Sequence, residues 1–265
     1  MIPRQFELPV ALRNEVTRFW ILEEPQLDFN NDVIFPDSHT ELVINCGAPF
    51  DNIAADGTRT RMPDAFLNRL LQKPLRLYAL AAPQFVAIQL YPWVARTFID
   101  PQIDLTGDSN ILPLSTFWQE AARQVRHIFH RSGPAEAVAY LTQTLLDAPR
   151  QKADLTTIHA AGVRLSDARG QLRIGDLAAD SYLSVSQFER RFKHYTGVSA
   201  KTYARLVRFE AIRNYLWAYP TTRMADVVHE FGFTDQAHLI HEFKSLTATT
   251  PGEYSAYIQA RIVAM

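Results

Sequence analysis

The chain has 265 residues, of which 47% are apolar and 21% charged, with a formal net charge of -1, as in an ordinary soluble protein that can bury real cores. No apolar run approaches the ~18 residues of a membrane helix, and the first residues lack the basic-then-apolar pattern of a signal peptide. Cys46 is the single cysteine, which excludes a disulfide framework and a cysteine-based zinc site. We therefore expect a cytoplasmic protein.

Charge and length together predict two domains, 1–150 and 151–265. Residues 1–150 contain 13 Lys and Arg against 17 Asp and Glu, whereas residues 151–265 contain 14 against 11. A modestly basic module joined to an acidic one suits a protein with one polyanionic partner. The Ala-Pro-Arg-Gln segment at 148–151 breaks a helical pattern, and we expect the hinge there.

The front part is predicted to be mainly β. Three short β-branched or aromatic runs, at 32–35, 41–46 and 85–90, are bounded by Pro, Gly, Asn or Asp, as strands usually are. From Ser115 onward the apolar spacing becomes helical, over 117–125 and again over 134–141.

The back part is predicted to be all helical. Asp154 is expected to cap a helix running through Ile158, Ala161 and Leu165. The pattern then predicts helices at 174–180, 184–195, 201–219 and 224–231, with another starting at Thr234.

Two stretches of the back part resemble each other. Residues 173–178 match 223–228 at an offset of 50, and Leu183-Ser184 matches Phe233-Thr234 at the same offset. Further on the offset is 51, because Phe188, Phe192 and Lys193 face Leu239, Phe243 and Lys244. A short helix, a turn of three or four residues and a capped longer helix form a helix-turn-helix. We expect two such units, at about 173–195 and 223–246, joined by a long helix.

Helical spacing divides each second helix into a buried and an outward face. The predicted buried stripes are Phe188, Phe192 and Tyr195, and then Leu239, Phe243 and Leu246. The outward positions are Ser186, Gln187, Glu189, Arg190 and Arg191 in the first unit, and Gln236, Ala237, His238, Ile240, His241 and Lys244 in the second. Arg190 suits guanine and Gln236 suits adenine, while Lys193 and Lys244 suit phosphate. Ser184 and Thr234 are expected as N-caps, which leave backbone N–H groups facing phosphate.

Residues 152–258 resemble the DNA-binding domain of AraC/XylS-family transcription regulators. The matching residues are Leu177-Ala178, the run from Leu183 to Lys193, Thr196 to Ser199, Tyr203, Arg208, Gly232 to Gln236, Phe243-Lys244 and Thr250 to Tyr254. The resemblance implies seven helices, with two recognition helices entering successive major grooves on one face of the DNA.

Carried onto this sequence, the resemblance gives a set of DNA-contact positions. The base-contact candidates are Ser186, Gln187, Glu189, Arg190, Gln236, Ala237, His238 and His241. The phosphate-contact candidates are Ser184, Arg191, Lys193, Thr234 and Lys244. Three residues depart from the usual pattern: Tyr182 stands where many members have Gly, Glu189 is acidic, and Ala237 offers only apolar contact.

The front part resembles an uncharacterised domain that precedes some AraC-type modules. The similarity lies in residues 35–47 and 88–93. Front domains of the wider family are often small β-barrels that bind an effector or form dimers, so we expect a barrel-like domain here by fold analogy. Six aromatic residues either line a pocket of this domain or pack its core: Trp20, Phe35, Phe66, Tyr91, Trp93 and Phe98.

The sequence favours a DNA-binding regulator over an enzyme. The alternative is a cupin-like metalloenzyme fused to a DNA-binding tail. In the front part only His39, His127 and His130 are available as histidine ligands for its metal. Alkyl-transfer DNA repair would need a zinc-bound cysteine cluster, which one cysteine cannot supply. Cys46 lies in an apolar run and is expected to be a buried thiol.

We expect no cofactor and no membrane. The expected partners are promoter DNA, a small-molecule effector, a second copy of the chain and, for an activator, RNA polymerase.

Overall fold

The structure is a computed structural model, and it describes residues 4–22, 33–54, 56–81, 84–107, 109–148 and 155–263. Most of the predicted hinge, from Pro149 to Gln151, lies outside these residues, as do Asp154 and Asp32. The helix that Asp154 was expected to cap begins at Thr156.

The front part folds into two antiparallel sheets. Its strands are β1 Arg4–Gln5, β2 Val16–Leu22, β3 Val33–Ile34, β4 Thr40–Asn45, β5 Phe50–Ile53, β6 Arg59–Arg61, β7 Ala65–Asn68, β8 Leu75–Ala79, β9 Phe85–Leu90 and β10 Ile111–Leu112. One sheet has the order β1-β2-β9-β4-β7-β10 and the other β3-β8-β5-β6. The three predicted strands are confirmed as β3, β4 and β9, and the predicted β-rich front domain is confirmed as a two-sheet sandwich.

The larger sheet buries side chains on both of its faces. On its central strand β9 all six residues are buried. Side chains alternate between faces along each strand. One face, with Phe19, Leu42 and Ile88, belongs to the main core and is covered by helices. The opposite face, with Val43 and Phe66, packs against the smaller sheet in a separate apolar cluster.

Two helices cover the outer face of the larger sheet, as the helical spacing predicted. They are α1 Thr116–Ser132 and α2 Pro134–Asp147. A short 3₁₀ helix, Pro92–Thr97, follows β9 and leads toward them. The Trp118 indole donates to the Thr97 carbonyl at 2.9 Å, which joins α1 to this segment.

Seven helices follow among residues 155–263, in agreement with the number that the resemblance implied. They are α3 Thr156–Asp167, α4 Ile174–Asp180, α5 Val185–Thr196, α6 Ala200–Ala218, α7 Met224–Glu230, α8 Gln236–Thr247 and α9 Pro251–Val263. In the described part of the chain, no helix is both long and apolar enough to cross a bilayer.

The core of the front domain continues into the helices of the back domain through Trp93. The Trp93 ring is 1% exposed and stacks on Tyr91, with ring centroids 4.8 Å apart. It lies directly on Gly162 of α3, where an added Cβ would come within 1.9 Å of the ring. A side chain at position 162 is therefore incompatible with this contact between the domains.

We expect Gly162→Ala to destabilise the protein by about 1–3 kcal/mol, because the methyl group would displace a buried ring. Gly175→Ala is the matched control, since Gly175 of α4 has open space around it and Ala favours helix by up to about 1 kcal/mol. Urea denaturation midpoints measure both effects. Equal midpoints for Gly162→Ala and the wild type would show that Trp93 does not lie on α3.

Candidate DNA-binding surface

The first helix-turn-helix unit consists of α4, a turn and α5. Ser184 is the N-cap of α5, as predicted, and its Oγ accepts from the Gln187 backbone N–H at 3.2 Å. The Gln187 side chain returns a bond, because its Oε1 accepts from the Ser184 N–H at 3.0 Å. This capping box fixes the start of α5 and engages the amide oxygen of Gln187.

The turn of the first unit contains Tyr182, which stands where many members of the resembling family have Gly. Tyr182 has φ +55° and Gly232, its equivalent in the second unit, has φ +66°. Both turns therefore use the same left-handed conformation, which is strained for Tyr182 and easy for glycine. The Tyr182 side chain is 98% exposed beside the start of α5.

The predicted faces of α5 agree largely with the structure. Phe188 and Phe192 are fully buried, whereas Tyr195 is only half-buried and Thr196 occupies the buried position instead. The outward side chains of Ser186, Gln187, Arg190 and Lys193 are exposed, and Arg191 is half-buried. The exposed Arg190 guanidinium has no hydrogen bond or ion pair to any residue that the structure describes.

Glu189 does not belong with these outward residues. Its carboxylate accepts from the backbone N–H of Ala200 at 2.7 Å and of Lys201 at 3.3 Å. These N–H groups begin α6, where the helix dipole favours a negative charge. The prediction that Glu189 faces bases was wrong, because the approach of α6 gives its carboxylate two backbone donors inside the domain.

The second unit consists of α7, a turn and α8, and its turn is one residue longer. Asp235, rather than Thr234, is the N-cap of α8, since its carboxylate accepts from the His238 N–H at 2.8 Å. The prediction of Thr234 as the cap was wrong by one position, because the extra residue lies in the turn before the helix.

The face of α8 agrees with the prediction. Leu239, Phe243 and Leu246 are buried. The exposed residues are Gln236, Ala237, His238, His241 and Lys244, while Ile240 is half-buried. The His238 ring packs edge-on against Phe233, with centroids 5.1 Å apart, so this ring is partly held by the turn.

The long helix α6 holds both recognition helices. At its start Ser199 is the N-cap, and the Glu189 carboxylate of α5 accepts from the first two backbone N–H groups. One turn later Arg205 reaches α8, where its Nε donates to Glu242 Oε2 at 2.6 Å and its Nη2 to Ser245 Oγ at 2.7 Å. These polar contacts point away from the exposed faces. The outward side chains are thus left accessible in the full chain, with the front domain present.

The other sequence candidates have structural explanations. Cys46 is 1% exposed, and burial raises the pKa of its thiol to about 12, as expected for a core residue. His127 and His130 are exposed on α1. Within the described ranges no three His, Cys, Asp or Glu residues are grouped as a metal site would require.

The six aromatic candidates of the front domain divide into two groups. Trp20, Phe35 and Phe66 line a cavity between the two sheets. The other three pack in the core: Tyr91 stacks on Trp93, and Phe98 lies 4.7 Å from Trp118 between ring centroids.

Comparisons with known proteins give one family match and several similar solved structures. Residues 177–257 match the family described as Helix-turn-helix domain, whereas no curated protein matches the chain. Similar solved structures include ToxT from Vibrio cholerae, with a TM-score of 0.47, 11% identity and coverage of 91% of this chain and 97% of that chain. Wild-type ToxT with bound unsaturated fatty acid gives 0.43 and 10%, covering 89% and 93%. The AraC-like transcriptional activator CuxR gives 0.29 and 17%, covering 76% and 73%.

Two capped helices held by one long helix define the back domain as a tandem helix-turn-helix module, an architecture typical of DNA-binding domains. Its residues 177–257 match the Helix-turn-helix domain family, in line with the resemblance found in the sequence.

We expect Glu189→Ala to lower the free energy of unfolding by about 1–2 kcal/mol, because the N–H groups of Ala200 and Lys201 lose their acceptor while the Ser199 N-cap of α6 remains. Sequence preference on DNA should stay the same, since the carboxylate lies inside the domain. Thermal unfolding and selection of bound duplexes measure the two effects. Ser186→Ala is the control for stability, because Ser186 is exposed on the same helix. A changed base preference with unchanged stability would show that Glu189 contacts DNA bases.

Proposed function

We propose that the protein is a one-component transcription regulator that binds a specific double-stranded DNA site through both recognition helices. The observation that carries the proposal is the pair of N-capped helices whose outward faces stay exposed in the full chain. When the N-terminal end of such a helix lies in the major groove, its side chains contact the edges of the bases.

Arg190 and Gln236 are the leading base readers in this proposal. A guanidinium makes two hydrogen bonds with guanine O6 and N7, and a glutamine amide does so with adenine. Both side chains are exposed, and neither has a hydrogen bond to a described residue. The remaining base-facing positions are Ser186, Gln187, Ala237, His238 and His241, of which Gln187 keeps its amide N–H group for donation.

Phosphate contacts are proposed beside the readers. The exposed Lys193 and Lys244 supply charge, and the first turns of α5 and α8 supply backbone N–H groups. Ser184, Arg191 and Thr234 complete the proposed set. Thr234 now belongs to it as an exposed turn residue and not as a cap.

The front domain is proposed to make the regulator responsive, by binding a small-molecule effector, by forming a homodimer, or both. Contact with RNA polymerase is expected if the regulator activates transcription. No observation on the described residues favours the metalloenzyme alternative over this role.

Selection of genomic fragments by the purified full-length chain tests the proposal directly. We expect enrichment of one sequence motif with two parts, one for each recognition helix. Retention of fragments without any shared motif, at low and at physiological salt, would overturn it.

We expect Arg190→Ala to weaken binding to the selected site by about 1–3 kcal/mol, with a smaller effect on random DNA. The reason is the loss of a bidentate base contact. Arg131→Ala, which removes an equal charge from an exposed position on α1, is the control and should bind as the wild type does. Fluorescence anisotropy on both duplexes measures the difference. An equal loss on the two duplexes would reduce Arg190 to a phosphate contact.

We expect Lys244→Ala to weaken binding to all duplexes and to flatten the plot of log K against log salt by about 0.9, the value for one phosphate contact. Lys73→Ala is the matched control, because Lys73 is exposed in the front domain. Anisotropy titrations at several salt concentrations give the slopes. The same slope in Lys244→Ala as in the wild type would remove Lys244 from the phosphate set.

A further inference from the structure

A cavity of about 380 Å³ lies between the two sheets of the front domain. Its walls are largely apolar and come from both sheets: Trp20, Phe50, Phe66, Leu75, Leu77 and Phe85. A volume of this size is at the lower end of the range for small-molecule sites.

One end of this cavity has a polar floor. Strand register places Arg18 opposite Gln89, Gln89 opposite Glu41, and Glu41 opposite Asn68. Because opposite residues on neighbouring strands point to the same face, the four side chains form one row across β2, β9, β4 and β7. The next row, Trp20-Ala87-Val43-Phe66, is entirely apolar. The cavity is therefore amphipathic, with a polar end and an apolar body.

Several polar atoms of this end have no protein partner. Asn68 is 8% exposed, and its Oδ1 accepts no hydrogen bond in the described part of the chain. The Nε atoms of Arg18 and Arg213 are also buried and have no hydrogen-bond partner among the described residues. Buried polar groups without a partner are rare in proteins because they cost free energy. Here three of them lie on residues that line one cavity.

Arg213 reaches the cavity from α6 of the DNA-binding domain. Its Nη1 donates to the Pro36 carbonyl at 2.8 Å, and its guanidinium lies 5.9 Å from the centre of the Phe35 ring. Glu210, one turn earlier on α6, accepts from the Ser38 N–H at 3.0 Å and from its hydroxyl at 2.5 Å. The segment 35–39 at the cavity is thus attached to the helix that holds both recognition helices.

The polar end favours an anion. Burial and the nearby Asp37 raise the pKa of Glu41 to about 7, and burial together with Glu210 raises the pKa of Asp37. Both carboxyl groups are shifted toward their neutral forms, whereas guanidinium groups stay charged. A ligand carboxylate at this end would therefore meet two guanidinium groups whose buried Nε–H groups have no partner among the described residues.

We propose that this cavity binds an organic carboxylate with an apolar body, whose carboxylate is received by Arg18 and Arg213. The apolar body lies among the rings of the two sheets, and Asn68 accepts a hydrogen bond from a ligand hydroxyl or amide where one is present. The ligand contacts both domains at once, because Arg213 belongs to α6. The role of this ligand as the effector rests on the proposed function, whereas its binding does not.

Calorimetric titration of the full-length chain without DNA tests the binding. The probes are decanoate and indole-3-butyrate, each compared with its own neutral primary amide. We expect at least one carboxylate to bind ten-fold or more tightly than its amide, and the pair that does so identifies an aliphatic or an aromatic body. Neither carboxylate exceeding its amide would overturn the proposal.

Variants locate the carboxylate. Arg18→Gln removes no protein hydrogen bond of the described residues, so the fold should be retained while affinity falls ten-fold or more. Arg213→Gln should have a similar effect, and Arg213→Lys should restore part of the affinity. Arg76→Gln is the control, because Arg76 lies between the lining residues Leu75 and Leu77 and is exposed on the outer face. Unchanged affinity in Arg18→Gln would overturn the proposal.

DNA binding is measured separately, with and without the preferred probe. Carboxylate binding without any DNA binding would contradict the proposed function as a regulator and would support the carboxylate site. Specific DNA binding without a carboxylate preference would support the proposed function and would contradict the carboxylate site.

Discussion

The helix Ala200–Ala218 is the element on which the rest of the structure depends, because every functional part of the molecule is bonded to it. Glu189 of the first recognition helix accepts from the backbone N–H groups at its start, and Arg205 reaches the second recognition helix. Glu210 and Arg213 attach its later turns to the front domain. A rigid helix with these contacts sets the separation and orientation of the two reading faces.

The contact between the domains is apolar as well as polar, and its shape is specific. Trp93 fills a space that exists because position 162 has no side chain. A similar close approach occurs at Gly197, the C-cap of α5, where an added Cβ would come within 2.5 Å of the Leu105 carbonyl oxygen. Packed interiors resist local deformation, so these two close contacts fix the front domain against α3 and the end of α5.

The larger sheet of the front domain serves two purposes through its two faces. Its outer face is largely apolar and packs against α1 and α2 in the main core. Its inner face combines apolar rows with one row of polar residues, which includes Arg18, Glu41 and Asn68. Polar residues in such a row cost stability unless they acquire partners, which is typical of a site selected for binding.

Local chemistry in the sequence determined the helical domain. The spacing of Phe188 and Phe192, and of Leu239 and Phe243, follows the helical period, and Ser184 with Gln187 forms a capping box from residues three apart. Tertiary structure decided what depends on residues far apart in the chain. Thr234 and Asp235 are both good N-cap residues, so the sequence could not decide between them. The length of the turn, which is set by the tertiary structure, makes Asp235 the N-cap of α8.

Glu189 faces α6 because that helix begins beside it, which helical periodicity within α5 cannot reveal. Likewise, the neighbours Arg18, Glu41 and Asn68 are separated by more than 20 residues in sequence and become one row only through strand register. A periodic pattern reports which face of an element is buried. Which other element that face contacts is decided by the packing between elements. This packing therefore determines which residues line the cavity and which remain exposed on the two recognition helices.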